Sequence, residues 1–215
     1  MLVKNYMTRH PIMISPETSA AEAQQIMSEN QIRHLPVAGD GKRVLGLISR
    51  ERLRIPPTDL GSLNVWEISR FLTELRVKDV MVKKEDLVTI EPNATLEDAA
   101  KKMIEDKVGC LLVLEEEIVV GVITEIDMLA QLTELLGGNE PGVRVTVRVP
   151  NTQGELAKIS GAISDQGWGI YASGGVQTPK DPSHWDVVLK VRNVNKEELV
   201  AVLEKIKGQE IIDIR

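Results

Sequence analysis

Aromatic side chains are scarce in this sequence, at three tryptophans, two tyrosines and one phenylalanine. Its core must therefore be built from Val, Ile, Leu, Met and Ala. A single cysteine, Cys110, excludes a disulfide framework and fits a reducing cytoplasm. The net charge of −6 comes without any run of Lys or Arg, so the broad positive surface that nucleic acid requires is not expected. No apolar run approaches the ~20 residues of a membrane span, and the opening Met1-Leu2-Val3-Lys4-Asn5 has no apolar signal core. The three histidines, His10, His34 and His184, lie far apart and lack metal-ligand spacing with Cys110 or a carboxylate. No nucleophile elbow, phosphate-binding loop or dinucleotide fingerprint is found. The expectation is a non-enzymatic protein with no metal, no catalytic residues, no resident cofactor, no nucleic-acid partner and no membrane span.

What the sequence does contain is a repeat. Val77-Lys78-Asp79-Val80-Met81 echoes Val3-Lys4-Asn5-Tyr6-Met7. Pro92, Thr95, Met103 and Leu111-Leu112-Val113 echo Pro16, Ser19, Met27 and Leu35-Pro36-Val37. Gly121-Val122-Ile123-Thr124 echoes Gly46-Leu47-Ile48-Ser49, and the offset stays at 74 to 76 positions throughout. An internal duplication of this kind fixes the architecture. Each copy reads as strand, helix, strand, strand, helix, with Pro11–Ser15 as the short first strand of copy one. Ser19 and Thr95 cap the first helices. Leu35–Val37 with Val44–Ile48, and Cys110–Leu114 with Ile118–Ile123, pair as strands covered on both faces. The hairpin tip Glu115-Glu116-Glu117 is expected to be solvated. Ile55-Pro56-Pro57-Thr58 reads as a helix stop, followed by a helix through Leu63, Trp66, Ile68, Phe71, Leu72 and Leu75. A helix through Met128, Leu129, Leu132 and Leu135 closes the second copy at Gly137-Gly138.

After the Asn139–Gly142 linker the period changes to two: Val143, Val145, Val147 and Val149 alternate with polar residues. Helices at Leu156–Ile163 and Leu199–Ile206, and strands at 169–176, 186–191 and 210–214, complete the order βαββαβ of a ferredoxin-like domain. One face of its sheet is left open for pairing with a second copy. The domains are expected at 1–54, 77–136 and 143–215, with an inter-repeat helix and linker at 55–76 and a linker at 137–142. The fold class is α+β.

Candidate chemistry sits where each repeat passes from strand to helix. Thr124 stands at a helix N-cap and Asp127 at N3. One reading is a capping box, in which the hydroxyl and the carboxylate serve only the backbone. The other gives the helix amides and Thr124 to a phosphate and Asp127 to the two hydroxyls of a ribose. Copy one keeps Ser49 but has Arg52 where the acid belongs, and Glu51 is displaced by about 100° on a helix. That groove is degraded: it is either empty or one in which Arg52 grips a phosphate, which leaves one good nucleotide site per pair. Cys110 is expected to pack as a small apolar residue.

The whole repeat, from Val-Lys-x-x-Met to Gly-x-x-Ser/Thr, resembles a tandem cystathionine-β-synthase (CBS) domain pair over residues 1 to about 135. That resemblance implies a regulatory module taking AMP, ADP, ATP or S-adenosylmethionine in the groove between copies. It implies Thr124 at the phosphate, Asp127 at the ribose, Val122 and Ile123 at the adenine, and Arg33 and His34 on the opposite wall. The last domain is similar to the ACT family through Asn151-Thr152-Gln153-Gly154-Glu155-Leu156. The resemblance implies an effector loop at Asn151, Gly154 and Leu156 and a possible amino-acid ligand, with a simple tight turn at Gly154 as the other reading. The order of a CBS pair followed by an ACT domain resembles the acetoin-utilisation AcuB family, as do Trp66-Glu67-Ile68 and Phe71-Leu72. It implies a cytoplasmic homodimer, paired through both kinds of domain, that signals to a partner protein. The alternative is an amino-acid sensor with the repeats as scaffold.

Overall fold

A computed structural model describes residues 1–54 and 64–215 of the chain, so the Ile55–Thr58 helix stop and Leu63 lie outside the described residues. The chain divides into two compact units, Met1–Met128 and Leu129–Arg215.

The first unit holds both repeats, and they exchange their leading segments. In copy one, α1 (Ala20–Glu29) is capped by Ser19, whose Oγ accepts from Glu22 N at 3.2 Å. β2 (His34–Ala38) and β3 (Val44–Ser49) form the hairpin. In copy two, α4 (Leu96–Asp106), β6 (Cys110–Glu115) and β7 (Ile118–Thr124) repeat the pattern. The short strand β1 (Thr8–Arg9), however, pairs with β7 of copy two, Thr8 opposite Val122. Its counterpart β4 (Val82–Lys83), which follows the helical turn α3 (Val77–Val80), pairs with β3 of copy one, Gly46 opposite Lys83. The sheets are thus β1-β7-β6-β5, with β5 at Thr89–Ile90, and β2-β3-β4. Val3 is buried in the core of copy two and Val77 in that of copy one.

This exchange explains two halves of the repeat motif together. A Cβ on Gly46 would stand 2.5 Å from Val82 O and 2.7 Å from Met81 Sδ, and one on Gly121 would stand 2.5 Å from Met7 Sδ. Each Val-Lys-x-x-Met lead-in lies across a glycine within the last strand of the other copy. One short strand of each sheet therefore comes from the other copy of the repeat.

Two further expectations change. Pro11–Ser15 forms only a single parallel bridge, Ile14 to Val37. Residues 50–54 are turns, not a helix, so the rotation argument for Glu51 does not apply. The hairpin tip is exposed as expected, and its Glu117 carboxylate also pairs with Arg43 and Lys84, while Val44 N donates to Glu117 O at 2.9 Å. Strand alternation sends Leu111, Val113 and Ile123 towards α4, while Cys110, Leu112 and Val122 join Val44 in a separate cluster between the copies. Both faces of these strands are covered, as their continuous apolar runs require. The inter-repeat helix α2 (Val65–Glu74) starts in a capping box between Asn64 and Glu67, and leaves Trp66 exposed.

Helix α5 (Glu125–Leu135) follows β7 and ends before Gly137 at φ +66°. In the second unit, β8 (Val143–Pro150), α6 (Glu155–Ser164), β9 (Gly169–Gln177), β10 (His184–Arg192), α7 (Lys196–Leu203) and β11 (Glu210–Ile214) form an antiparallel sheet ordered β11-β8-β10-β9. Val143, Val145, Val147 and Val149 are buried against Ile159, Ile163, Leu199 and Leu203. The opposite face is not simply open. Leu136 would contact a Cβ on Gly174, and Glu140 accepts from Arg192, which stacks 3.9 Å over Tyr171. Ion pairs Arg144–Asp213 (3.0 Å) and Arg148–Asp186 (2.8 Å) run across two pairs of neighbouring strands. Among the described residues no helix is long and apolar enough to cross a membrane.

Candidate functional site

A groove of about 580 Å³ opens in the first unit, within the range usual for small-ligand sites. Three segments line it. Copy one gives Asn30 to His34, just before and at the start of β2. Copy two gives Gly109, Val122, Thr124, Glu125, Ile126 and Asp127, at the end of β7 and the start of α5. The exchanged lead-in gives Thr8, His10, Pro11 and Ile12. The structure therefore brings together five of the six residues expected there: Val122, Thr124, Asp127, Arg33 and His34.

Ile123 is the exception. It is fully buried with Val3, Leu111 and Met103, because neighbouring residues of a strand point to opposite faces. Val122 and Thr124 present this strand to the groove.

The start of α5 shows what Thr124 and Asp127 do without a ligand. Asp127 Oδ2 accepts from Thr124 N at 2.7 Å and from Thr124 Oγ1 at 2.7 Å, while Asp127 N donates to Thr124 Oγ1 at 3.4 Å. The capping box is formed. The amide of Glu125 is also taken, by Gly109 O at 3.1 Å. Fewer amides remain for an anion than an uncapped helix start would offer. Asp127 lines the groove, and its Oδ1 makes no hydrogen bond among the described residues, so one carboxylate oxygen stays unpaired. His34, opposite Ser49 in the β2–β3 ladder, has its imidazole held below the usual range. Burial is the main cause. Glu125 opposes it, Arg33 adds to it, and Glu51 opposes it weakly. His34 is accordingly neutral at pH 7.

Of the pair expected in copy one, Ser49 ends β3 and Arg52 donates to Val80 O at 3.4 Å from within a turn. The guanidinium is anchored to backbone at the α3 segment.

In the second unit a cavity of about 470 Å³ is lined by Asn151 and Leu156, together with Glu155, Ser173, Gly175 and Trp185. Gly154 lies outside it. At φ +89° Gly154 starts α6 in a conformation that favours glycine, which is the tight-turn role. Asn151 is committed to the neighbouring loop: its N donates to Ser183 O at 2.7 Å and its Nδ2 to Pro182 O at 3.2 Å. Glu155 is buried; its carboxyl is held below the usual range by Lys158 first and Thr152 second, against the effect of burial.

The CBS domain model matches residues 3–55 and 77–134, more than half of the sequence and the same two copies that share the groove. This chain belongs to the CBS domain family. An uncharacterized protein of Methanocaldococcus jannaschii is 28% identical over 134 residues, 60% of this chain and 46% of that protein, so this chain spans less than half of that relative. A Vibrio cholerae protein assigned to acetoin utilization (AcuB) is 28% identical with a TM-score of 0.54, covering 66% of this chain and 98% of that one. The solved CBSX2, in complex with AMP, shares the fold at 24% identity and a TM-score of 0.50, over 62% of this chain and 96% of that one.

The lead-in residues of the groove, Thr8, His10, Pro11 and Ile12, are not among those the sequence points to. The signal was present: the methionine of each lead-in and the glycine of the other copy are jointly repeated, which is what a lead-in crossing to the other copy requires.

Proposed function

We propose that this chain is a non-catalytic regulatory module that takes an adenosine-containing ligand in the CBS groove. The observation that carries this reading is the free Oδ1 of Asp127 in a cavity whose walls come from both copies. Oδ1 would accept from a ribose hydroxyl, and Val122 with Ile12 would pack on the base. Arg33 would hold a phosphate. Thr124 reaches the ligand as a hydrogen-bond acceptor while its proton serves Asp127. The AMP found in a protein of the same fold supports this assignment. Ser49 and Arg52 leave the second groove without a ribose acid, which gives one site per chain. Calorimetric titration with AMP tests the reading: one equivalent should bind wild type, and Asp127→Ala should lose at least tenfold in affinity, about 1.4 kcal/mol. If that variant only melts earlier and binds AMP unchanged, the carboxylate is a helix cap and no more.

A second reading rests on the other cavity. The βαββαβ unit has the chain order of the ACT family, and Asn151 and Leu156 line a space large enough for an amino acid. Thermal-shift screening separates the readings, since a ligand that binds the folded state raises the melting temperature. Resemblance to the AcuB protein supports a role in acetoin utilisation. The exposed Ile126, Leu129, Leu132 and Leu135 of α5 support a homodimer.

A further inference from the structure

The charged side chains lining the CBS groove are Arg33, Glu125 and Asp127. His34 adds no charge at neutral pH. Asp127 is tied to Thr124 through Oδ2, with its other oxygen assigned above to a ribose. Glu125 has no such task, and its carboxylate forms no ion pair among the described residues. Its backbone is held at the groove, and its side chain lies against Gly109. Its amide is bonded to Gly109 O, and its carboxylate carbon and oxygens lie 3.3 to 3.5 Å from where a Cβ on Gly109 would stand. The carboxylate fills the space a side chain at 109 would occupy. It is also close enough to His34 to be the largest influence opposing burial there.

We propose that Glu125 is a charge filter: the groove accepts adenosine derivatives with no phosphate or one, and turns away di- and triphosphates. This rests on the reading of the groove as an adenosine site. One guanidinium offsets a single phosphate. Every further phosphate brings negative charge towards two carboxylates, with no second arginine or lysine lining the groove among the described residues. A unit charge about 6 Å from Glu125, at an effective dielectric of about 40, corresponds to roughly a tenfold change in affinity.

The test is a titration of the full chain, free of magnesium, with 5′-methylthioadenosine, AMP, ADP and ATP, on wild type and Glu125→Gln. Wild type should bind the first two and bind ATP at least about tenfold more weakly than AMP. Glu125→Gln should keep 5′-methylthioadenosine within about twofold and tighten ATP by about tenfold. A general loss of structure would weaken all four together, which overturns the filter. ATP binding wild type as well as AMP does, or an ATP-to-AMP ratio unmoved by Glu125→Gln, also overturns the filter but leaves the adenosine site standing. If none of the four binds wild type, the adenosine reading fails and the filter falls with it.

Discussion

Alanine at Gly46 tests the exchange of lead-in segments directly. The new Cβ would meet Val82 O at 2.5 Å and Met81 Sδ at 2.7 Å. The methionine sulfur can swing away, but the carbonyl belongs to β4 and moves only if that strand retreats from β3. Retreat loosens the pairs Gly46–Lys83 and Leu47–Val82. Overpacking of this kind costs about 1–3 kcal/mol, and one weakened ladder hydrogen bond adds about 1 kcal/mol. Restricting the unfolded chain returns about 0.4–1 kcal/mol. The net expectation is about 1–3.5 kcal/mol. Gly121→Ala meets mainly the flexible sulfur of Met7, with Thr8 O no nearer than 3.0 Å, and should cost about 1 kcal/mol or less by the same accounting. Scanning calorimetry, with urea unfolding as a check, reads both variants, and only the transition of the first unit should move. A Gly46→Ala protein within about 0.5 kcal/mol of wild type, near the ordinary spread of surface substitutions, would refute the crossing geometry. So would a reversed order of the two variants.

Three other expectations follow from the same structure. Cys110 is buried and its thiol is pushed up to about 12, mainly by burial and then by the Asp127 carboxylate, so iodoacetamide at pH 8 should label it only after unfolding. The Asp186 carboxyl is held below its usual range chiefly by Arg148, with Thr178 helping. Its contribution is complete above the unfolded value of about 4 and is lost as pH falls from there towards the folded value. Acid titration of the second unit should therefore show a decline below about pH 4 that Asp186→Asn flattens. His34 is lowered in the folded state, so the fold holds it neutral, and stability falls as pH drops below about 6.5. Melting curves from pH 8 to 5 should show that decline in wild type and not in His34→Gln.

The repeat, the strand and helix order and the core faces were legible because each rests on local periodicity. Alternation in Val143 to Val149 places four valines inside and needs no tertiary knowledge. Exchange of the lead-ins was not legible by that route. A two-residue strand such as Thr8–Arg9 carries no period, and its partner lies more than a hundred residues away. The missed groove residues Thr8, His10 and Ile12 follow from that one gap. Ile123 differs: in a run apolar on both faces, nothing in the sequence says whether Val122 or Ile123 faces the groove, and the structure buries Ile123 fully. The turn at 50–54 was read as a helix because copy two has one there. A duplicated sequence need not keep a duplicated conformation once Arg52 replaces the acid that builds the capping box at Asp127.

That contrast bears on how the CBS groove would work. In copy two the atoms that start α5 are the atoms a ribose would approach: Thr124 Oγ1, Asp127 Oδ2 and the free Oδ1. A ligand that drew Asp127 off Thr124 would leave backbone donors unsatisfied at the helix start, at a cost of about 1 kcal/mol. A ligand that used only Oδ1 would leave the cap whole and restrain the carboxylate further. The second mode is favoured, because it adds a bond without breaking two. It predicts that Thr124→Val, which keeps the volume but removes both the proton that holds Asp127 and the oxygen assigned above to the ligand, weakens AMP binding. Unchanged AMP affinity in Thr124→Val would show that the hydroxyl neither meets the ligand nor positions the carboxylate.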